Sequence, residues 1–312
     1  MTGDIALGPG GEFDLVRTLI ARFGDAGRGI GDDAGALHAP PGETLLVSTD
    51  VAVEDVHFRR GWLTPSEIGY RAATAAFSDL AAMAAIPRAM VVALTLPKHW
   101  RGEAAGIAEG LARAAIACDA VIIGGDVSDG PVLTLAVTVI GSAARPLARS
   151  GARPGDGIWI TGRLGGPAVA LQAFEAGVSP SSEARERFAA PRARVREARW
   201  LAVHGATAAI DVSDGLASDL AHMAAASGVR IVLDLDRVPV FPGATEADAS
   251  AGGEEYEIAV AAPHSLDAMA FEQAFALPIT RVGTVGGEPA GVVARRAGVD
   301  VPSPRGFDHF AR

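Results

Sequence analysis

Short apolar runs alternate along the chain with alanine-rich stretches. "TLLVSTDVAV" (44–53) reads as a buried strand, and "PSEIGYRAATAAFSDLAAMAA" (65–85) as a helix. Thr64 suits the N-cap of that helix, with Pro65 at its first position, where a missing N–H is no loss. "MVVALTLP" (90–97), "AVIIGGD" (120–126) and "VLTLAVTVIGSA" (132–143) read as strands, with a helix over 102–119. The segment "RPLARSGARPGD" (145–156) is rich in Pro, Gly and Arg and marks an expected domain boundary. Beyond it a second set is expected: strand 157–162, helices 166–177 and 192–203, strand 208–213, helix 215–228, and strands 229–235, 256–262 and 279–286. The stretch 177–191 reads as a polar loop. The pattern predicts a two-lobed α/β (α+β) fold with domains 1–145 and 146–312.

Composition narrows the function. Of 312 residues 49% are hydrophobic, enough for a sizeable core, and the formal net charge is −10. That balance argues against non-specific nucleic-acid binding, which needs a basic face. It leaves nucleotides open, because carboxylates can hold Mg²⁺ that in turn holds phosphate. Cys118 is the one cysteine, which excludes an intramolecular disulfide and a cysteine-based metal site and suits a small core residue. The first residues show no basic flank before an apolar run, and no run nears the ~20 residues of a membrane span. A soluble, cytoplasmic protein is expected.

The acids fall in a pattern. Asp32 and Asp33 lie in the glycine loop "GIGDDAGAL", where a solvated turn is the simplest reading. Asp50 follows Ser48 and Thr49 in a strand-like run, and Asp79 follows Ser78 in an apolar helix. Asp126 follows Gly124 and Gly125 after a strand, and Asp211 and Asp214 bracket Ser213 where a strand turns into a helix. A buried, unpaired carboxylate is costly. Several such acids with nearby hydroxyls point to a shared hard cation with oxygen ligands. The alternative for Asp211 and Asp214 is capping of the helix that starts near Gly215. No GxxxxGK[ST] is present and Lys98 is the only lysine, which excludes a P-loop enzyme. "TGRLGGPAVAL" (161–171) matches a dinucleotide fingerprint only loosely. Phosphate would fall to Mg²⁺ and to arginines such as Arg149 and Arg153, which could equally be solvated hinge residues. His57 has no neighbouring Ser or Cys to activate, and by itself it reads as a structural histidine at a strand end.

"GIGDDAG", "STDVAVEDVHF", "SDLAAMAAIP", "VIIGGD", "RSGARPGD", "IDVSDGLASDL", "GGEEYEI" and "GFDHF" occur in this order over nearly the whole chain. In this the sequence resembles the thiamine-monophosphate kinase family. That family belongs with aminoimidazole-ribonucleotide synthetase, selenophosphate synthetase and a hydrogenase-maturation protein. The resemblance implies ATP-dependent phosphorylation of thiamine monophosphate to thiamine diphosphate, by direct in-line transfer assisted by several Mg²⁺. It implies a homodimer whose N-terminal α/β domains form a β-barrel across the dimer, a C-terminal α/β domain, and a nucleotide cleft between the domains. By the same resemblance Asp33, Ser48, Thr49, Asp50, Asp79, Asp126, Asp211 and Asp214 are Mg²⁺ ligands. Gly125, Asp126, Arg149 and Ser213 contact ATP, and His57, Glu254 and Phe307 bind the substrate. Asp32 shapes the loop or binds water around a metal. No general base is expected, because the attacking phosphate oxygen is already ionised at neutral pH.

The sequence departs from the family in places. Glu255 stands where Asp is common, Asp55 where glycine is frequent, the stretch from Val240 to Gly252 is short, and the helix 102–119 carries no aromatic. Two other readings compete: a related ATP-dependent enzyme with a different substrate, and a non-catalytic nucleotide-binding dimer scaffold. The pair "GGEEYE" and "GFDHF" separates the kinase from its relatives, and a complete acid set separates it from the scaffold.

Overall fold

In this computed structural model residues 11–28, 30 and 34–307 are described. They divide into two compact units: the chain up to Leu80 with Ala85–Arg145, and Ala81–Ala84 with the chain from Pro146 on. The first contains α1 (Gly11–Phe23), β1 (Thr44–Val53), α2 (Pro65–Ala82), β2 (Ile86–Thr95), α3 (Ala104–Ala117), β3 (Val121–Ser128) and β4 (Thr134–Ala143). Its four-stranded sheet has the order β1-β4-β2-β3. Strand β4 pairs antiparallel with β1 and β2, whereas β2 and β3 run parallel and are joined through α3.

Local rules place the first-unit helices. The Thr64 hydroxyl accepts the Glu67 N–H (3.3 Å), and the Glu67 carboxylate accepts the Thr64 N–H (2.8 Å). That reciprocal box opens α2. Ala73, Ala76, Phe77 and Leu80 recur at helical spacing and are buried. The helix stops before the expected 85: Ala84 takes φ +52° and the Ala85 N–H turns back to the Leu80 carbonyl. Strand β2 therefore starts at Ile86 rather than at 90.

The second unit contains β5 (Gly157–Thr161), α4 (Gly166–Glu175), α5 (Ser182–Ala189), α6 (Val195–Val203), β6 (Ala208–Asp211) and α7 (Leu216–Ser227). Then come β7 (Arg230–Asp234), α8 (Glu246–Ala251), β8 (Ile258–Ala262), α9 (Ala268–Phe275), β9 (Ile279–Gly286), β10 (Gly291–Arg296) and β11 (Val299–Val301). Its seven-stranded sheet runs β11-β10-β7-β9-β5-β8-β6. One core joins Ile158, Ile160, Ile210, Leu220 and Ile231, and another joins Leu201, Val260 and Phe271. Strand β5 lies antiparallel to both neighbours, so the glycines after it open no dinucleotide-binding βαβ unit.

The expected loop over 177–191 holds α5 instead. Ser181 caps it by accepting the Ala184 N–H (3.2 Å), and its apolar face buries Ala184, Phe188 and Ala189. The polar letters of "SSEARERFAAP" hid a one-sided helix. Cys118, expected in the core, is partly exposed at the C-cap of α3, and burial pushes its thiol up to about 12. A thiol held in that form is unreactive.

Candidate active site

In the first unit β1 divides its side chains by face, as the two-residue period requires. Leu46, Ser48, Asp50 and Ala52 are the less exposed set, and Leu45, Val47, Thr49 and Val51 are exposed. The Ser48 hydroxyl donates to the Asp79 carboxylate, tying β1 to α2. Ser48 and Asp79 are thus brought together, with Asp50 on the Ser48 face. Thr49 turns its hydroxyl to the other face, 2.8 Å from that of Thr138. His57 is pinned just beyond β1, where its Nδ1 accepts the Val53 N–H (3.1 Å), leaving Nε2 to carry the proton of a neutral ring. Asp55 has φ +67°, a backbone region that glycine fills most easily, which accounts for a glycine-tolerant position here. Asp32 and Asp33 lie outside the described residues.

Gly125 and Asp126 stand on β3, at the opposite edge of the same sheet. Asp50 pairs with Val137, Val137 with Val92 and Val92 with Gly125. Asp50 and Gly125 therefore share one row, three strand spacings apart, or about 14 Å. Gly125 has no room for a side chain, because a Cβ there would lie 2.3 Å from the Val92 carbonyl oxygen. Beside it, a cavity of about 210 Å³ opens among α1, α3, β2 and β3. Its lining is mostly apolar, with Leu19, Phe23, Ile107 and Leu111, and Gly124, Gly125 and Asp126 form one wall. Phe23 of α1 is the aromatic side chain in this lining.

In the second unit the strand-to-helix turn after β6 gathers the remaining residues. Asp211 ends β6 and is buried, and Ser213 and Asp214 are half-buried. Neither aspartate supplies a side-chain cap to α7, whose N-cap is Gly215. Asp219, which sequence reading missed, turns back from the first turn of α7. Its Oδ2 accepts the N–H groups of Ser213 (3.1 Å), Asp214 (3.2 Å) and Gly215 (3.1 Å). Burial, then the charges of Asp211 and Asp214, push its carboxyl up to about 7. The Ser213 carbonyl accepts the Glu254 N–H (2.7 Å), and the Asp214 carbonyl accepts the Phe307 N–H (2.8 Å). Phe307 is 56% exposed. Arg149 is exposed; its carbonyl accepts from the Ser227 hydroxyl, and its neighbour Ala148 accepts the Ala209 N–H of β6. Arg149 thus lies near β6, whose Asp211 is two residues further on.

Next to Glu254 in the chain lies a buried ion network with no signal in the sequence pattern. Glu257 is fully buried and accepts from Arg194 at both oxygens (2.6 and 2.9 Å), from Arg187 (2.8 Å) and from Thr161 (2.6 Å). Burial disfavours its charge, yet Arg194 and Arg187 outweigh this and hold the carboxyl below its usual range. Glu255 accepts from the Gly165 N–H and from Arg187 (3.2 Å). Burial pushes it up to about 8 against those partners. This network lies in the segment just before β8, which the 212–213 backbone meets through Val212, Tyr256 and Glu257.

Among the described residues no group of three or more acids, histidines or cysteines is arranged to hold a metal ion by itself. The donors present are nevertheless hard oxygens. The mutual repulsion of Asp211, Asp214 and Asp219 is what a divalent cation would relieve. Carboxylate oxygens such as those of Asp211 and Asp214 are the donor type that suits Mg²⁺, whose shell water and phosphate oxygens complete.

The sequence matches the AIR synthase related protein N-terminal domain over residues 31–143 and the C-terminal domain of that family over 153–295. A thiamine-monophosphate kinase of Salmonella typhimurium is 35% identical, covering 96% of this chain and 98% of its own length. The crystal structure of the thiamine-monophosphate kinase from Stenotrophomonas maltophilia superposes with a TM-score of 0.81 at 33% identity, covering 92% of this chain and 97% of that one. A solved structure described as "AaThiL complexed with AMPPCP and TMP" superposes with a TM-score of 0.75 at 28% identity, covering 96% of this chain and 97% of that one. The chain belongs to the AIR synthase related proteins and, among them, to the thiamine-monophosphate kinase family.

Proposed function

We propose that the protein transfers the γ-phosphoryl group of ATP directly to the phosphate of thiamine monophosphate, giving ADP and thiamine diphosphate. The observation that carries the nucleotide half is the apolar cavity walled by Gly124, Gly125 and Asp126. Its aromatic and aliphatic lining suits a nucleobase. The family membership and the turn that holds Glu254 and Phe307 support the acceptor half. Phe307 stacks on an aromatic ring of thiamine, and Glu254 pairs with its cationic part. His57 binds the same substrate.

Asp33, Ser48, Thr49, Asp50, Asp79, Asp126, Asp211 and Asp214 hold several Mg²⁺ in this reading, although the Thr49 hydroxyl faces Thr138. When bound, the ions neutralise charge on two phosphates that must meet in line. Arg149 and Ser213 meet the nucleotide phosphates. The bond from the γ-phosphorus to the bridging oxygen breaks as an acceptor phosphate oxygen attacks. That oxygen is already ionised, so no side chain takes a proton.

The same reading includes a homodimer working in the cytoplasm. Strands β1 and β3 are the edge strands of the four-stranded sheet, β3 bridged by Gly27 at Ile122, and β1 exposes Val47 at 65% with Leu45 and Val51 beside it. A second copy that pairs its β3 with β1, and its β1 with β3, closes eight strands into a barrel and removes both edges. It would also set the Asp50 edge of one copy beside the Asp126 edge of the other, closing the gap that one chain leaves. The test is ADP release with ATP, Mg²⁺ and thiamine monophosphate, run beside Asp126→Asn. Turnover that collapses by about a hundredfold or more in the variant is expected for a lost charge-stabilising ligand. A wild type that binds Mg²⁺–ATP and leaves thiamine monophosphate unchanged would refute the acceptor.

A further inference from the structure

The turn Ser213–Asp214–Gly215 has two sides. Its N–H groups point to one oxygen of Asp219, at 3.1, 3.2 and 3.1 Å. Its carbonyls hold the Glu254 N–H at 2.7 Å and the Phe307 N–H at 2.8 Å. These sides are not independent. A peptide unit is planar, so the Asp214 N–H and the Ser213 carbonyl belong to one rigid plate. The Gly215 N–H and the Asp214 carbonyl belong to the next. Asp219 thus grips the two plates whose far edges carry Glu254 and Phe307. It is only 2% exposed, so water does not readily replace it. Ser218, the residue before it, also holds the Gly306 N–H with its hydroxyl at 2.9 Å.

We propose that Asp219 is a positioning residue for the transfer reaction: by orienting these two peptide planes it sets Glu254 and Phe307 for the acceptor and Ser213 and Asp214 for the nucleotide. The inference rests on the function proposed above. A carboxylate that only stabilised the fold would lower the melting temperature and leave the affinities of the folded protein unchanged. A carboxylate that orients the plates changes both affinities together.

The experiment is calorimetric binding to the full chain, first of thiamine monophosphate alone and then of AMPPCP with Mg²⁺, for wild type, Asp219→Ala and Asp219→Asn. Asn keeps an oxygen acceptor in place, whereas Ala leaves three N–H groups unbound. Asp219→Ala is expected to weaken both ligands about tenfold, as sub-ångström misplacement of binding groups does. Asp219→Asn is expected to stay within about threefold of wild type, since the acceptor survives. Wild-type affinities in folded Asp219→Ala would overturn the inference, as would Asn proving as damaging as Ala. Should the alanine variant not fold, amide exchange on wild type decides: protection at 213–215 supports it, and exchange at open-loop rates overturns it. A wild type that binds no thiamine monophosphate overturns the functional reading and this inference with it. One that binds it while Asp219→Ala binds it equally overturns the inference alone.

Discussion

Glu255 and Glu257 stand two residues apart, and their surroundings push their carboxyls in opposite directions. Glu257 is held below its usual range by Arg194 and Arg187, so it is ionised at neutral pH. Removing that charge takes from two largely buried guanidiniums their shared, shortest carboxylate partner, leaving Arg194 with Glu197 at 3.4 Å and Arg187 with Glu255 at 3.2 Å. Glu257→Gln is expected to cost about 3–5 kcal/mol, the range for breaking a buried pair, read from urea unfolding. Glu255, pushed up to about 8, keeps its proton in the folded chain while the unfolded chain releases it near the ordinary 4.5. Between those values the unfolded state binds fewer protons, so this group's contribution to stability falls as pH rises and levels off above about 8. The melting temperature of Glu255→Gln minus that of wild type should therefore increase from pH 5 to pH 8. A flat difference would contradict it. None of this was legible in "GGEEYEI". The letters show adjacent acids, but the arginines that sort them lie about sixty to seventy positions away, on and just before helices of the second unit.

At the scale of elements, the C-terminal strip bearing Phe307 is laid down by a close approach. A Cβ on Gly306 would lie 2.2 Å from the Asp214 carbonyl oxygen and 2.6 Å from the Ser218 hydroxyl. Gly306→Ala must lift the strip off the turn. We expect the KM for thiamine monophosphate to rise about tenfold, with the KM for ATP nearly unchanged, because only the acceptor side moves. Steady-state kinetics with each substrate varied in turn will show it; equal changes in both would contradict it. Elements with strong apolar period were legible: β1 spans Thr44–Val53 as read from "TLLVSTDVAV". Helix α5 was not, because its polar face outnumbers its buried one and its cap, Ser181, looks like any loop serine. The turn residues Asp211, Ser213 and Asp214 stand out by letter, whereas Asp219 lies inside the helical stretch 215–228 and carries no such signal. Its role depends on the backbone curling over it, which no spacing rule reveals.

For the whole molecule, the row from Asp50 through Val137 and Val92 to Gly125 puts acids of one proposed ion site at two opposite edges. A single copy leaves them about 14 Å apart by strand spacing. In the proposed dimer the second copy completes the ion site as well as covering Leu45, Val47 and Val51. Val47→Asp, which puts a charge on that exposed apolar face, should halve the mass seen by light scattering and abolish turnover while the monomer stays folded. A fully active monomer would contradict it. The two-lobed class was readable from the alternation of runs. The antiparallel neighbours of β5 were not, because periodicity reports which side chains are buried and says nothing of strand direction.

The central claim is direct transfer between two phosphates, and the most direct measurement follows the phosphoryl group itself. Enzyme is mixed in excess with ATP labelled at the γ-phosphate, Mg²⁺ and thiamine monophosphate, and quenched within one turnover. The account predicts label passing from ATP to thiamine diphosphate, with none on the protein and none as free phosphate. Label accumulating on the protein, or released as free phosphate while thiamine monophosphate stays unchanged, would contradict it.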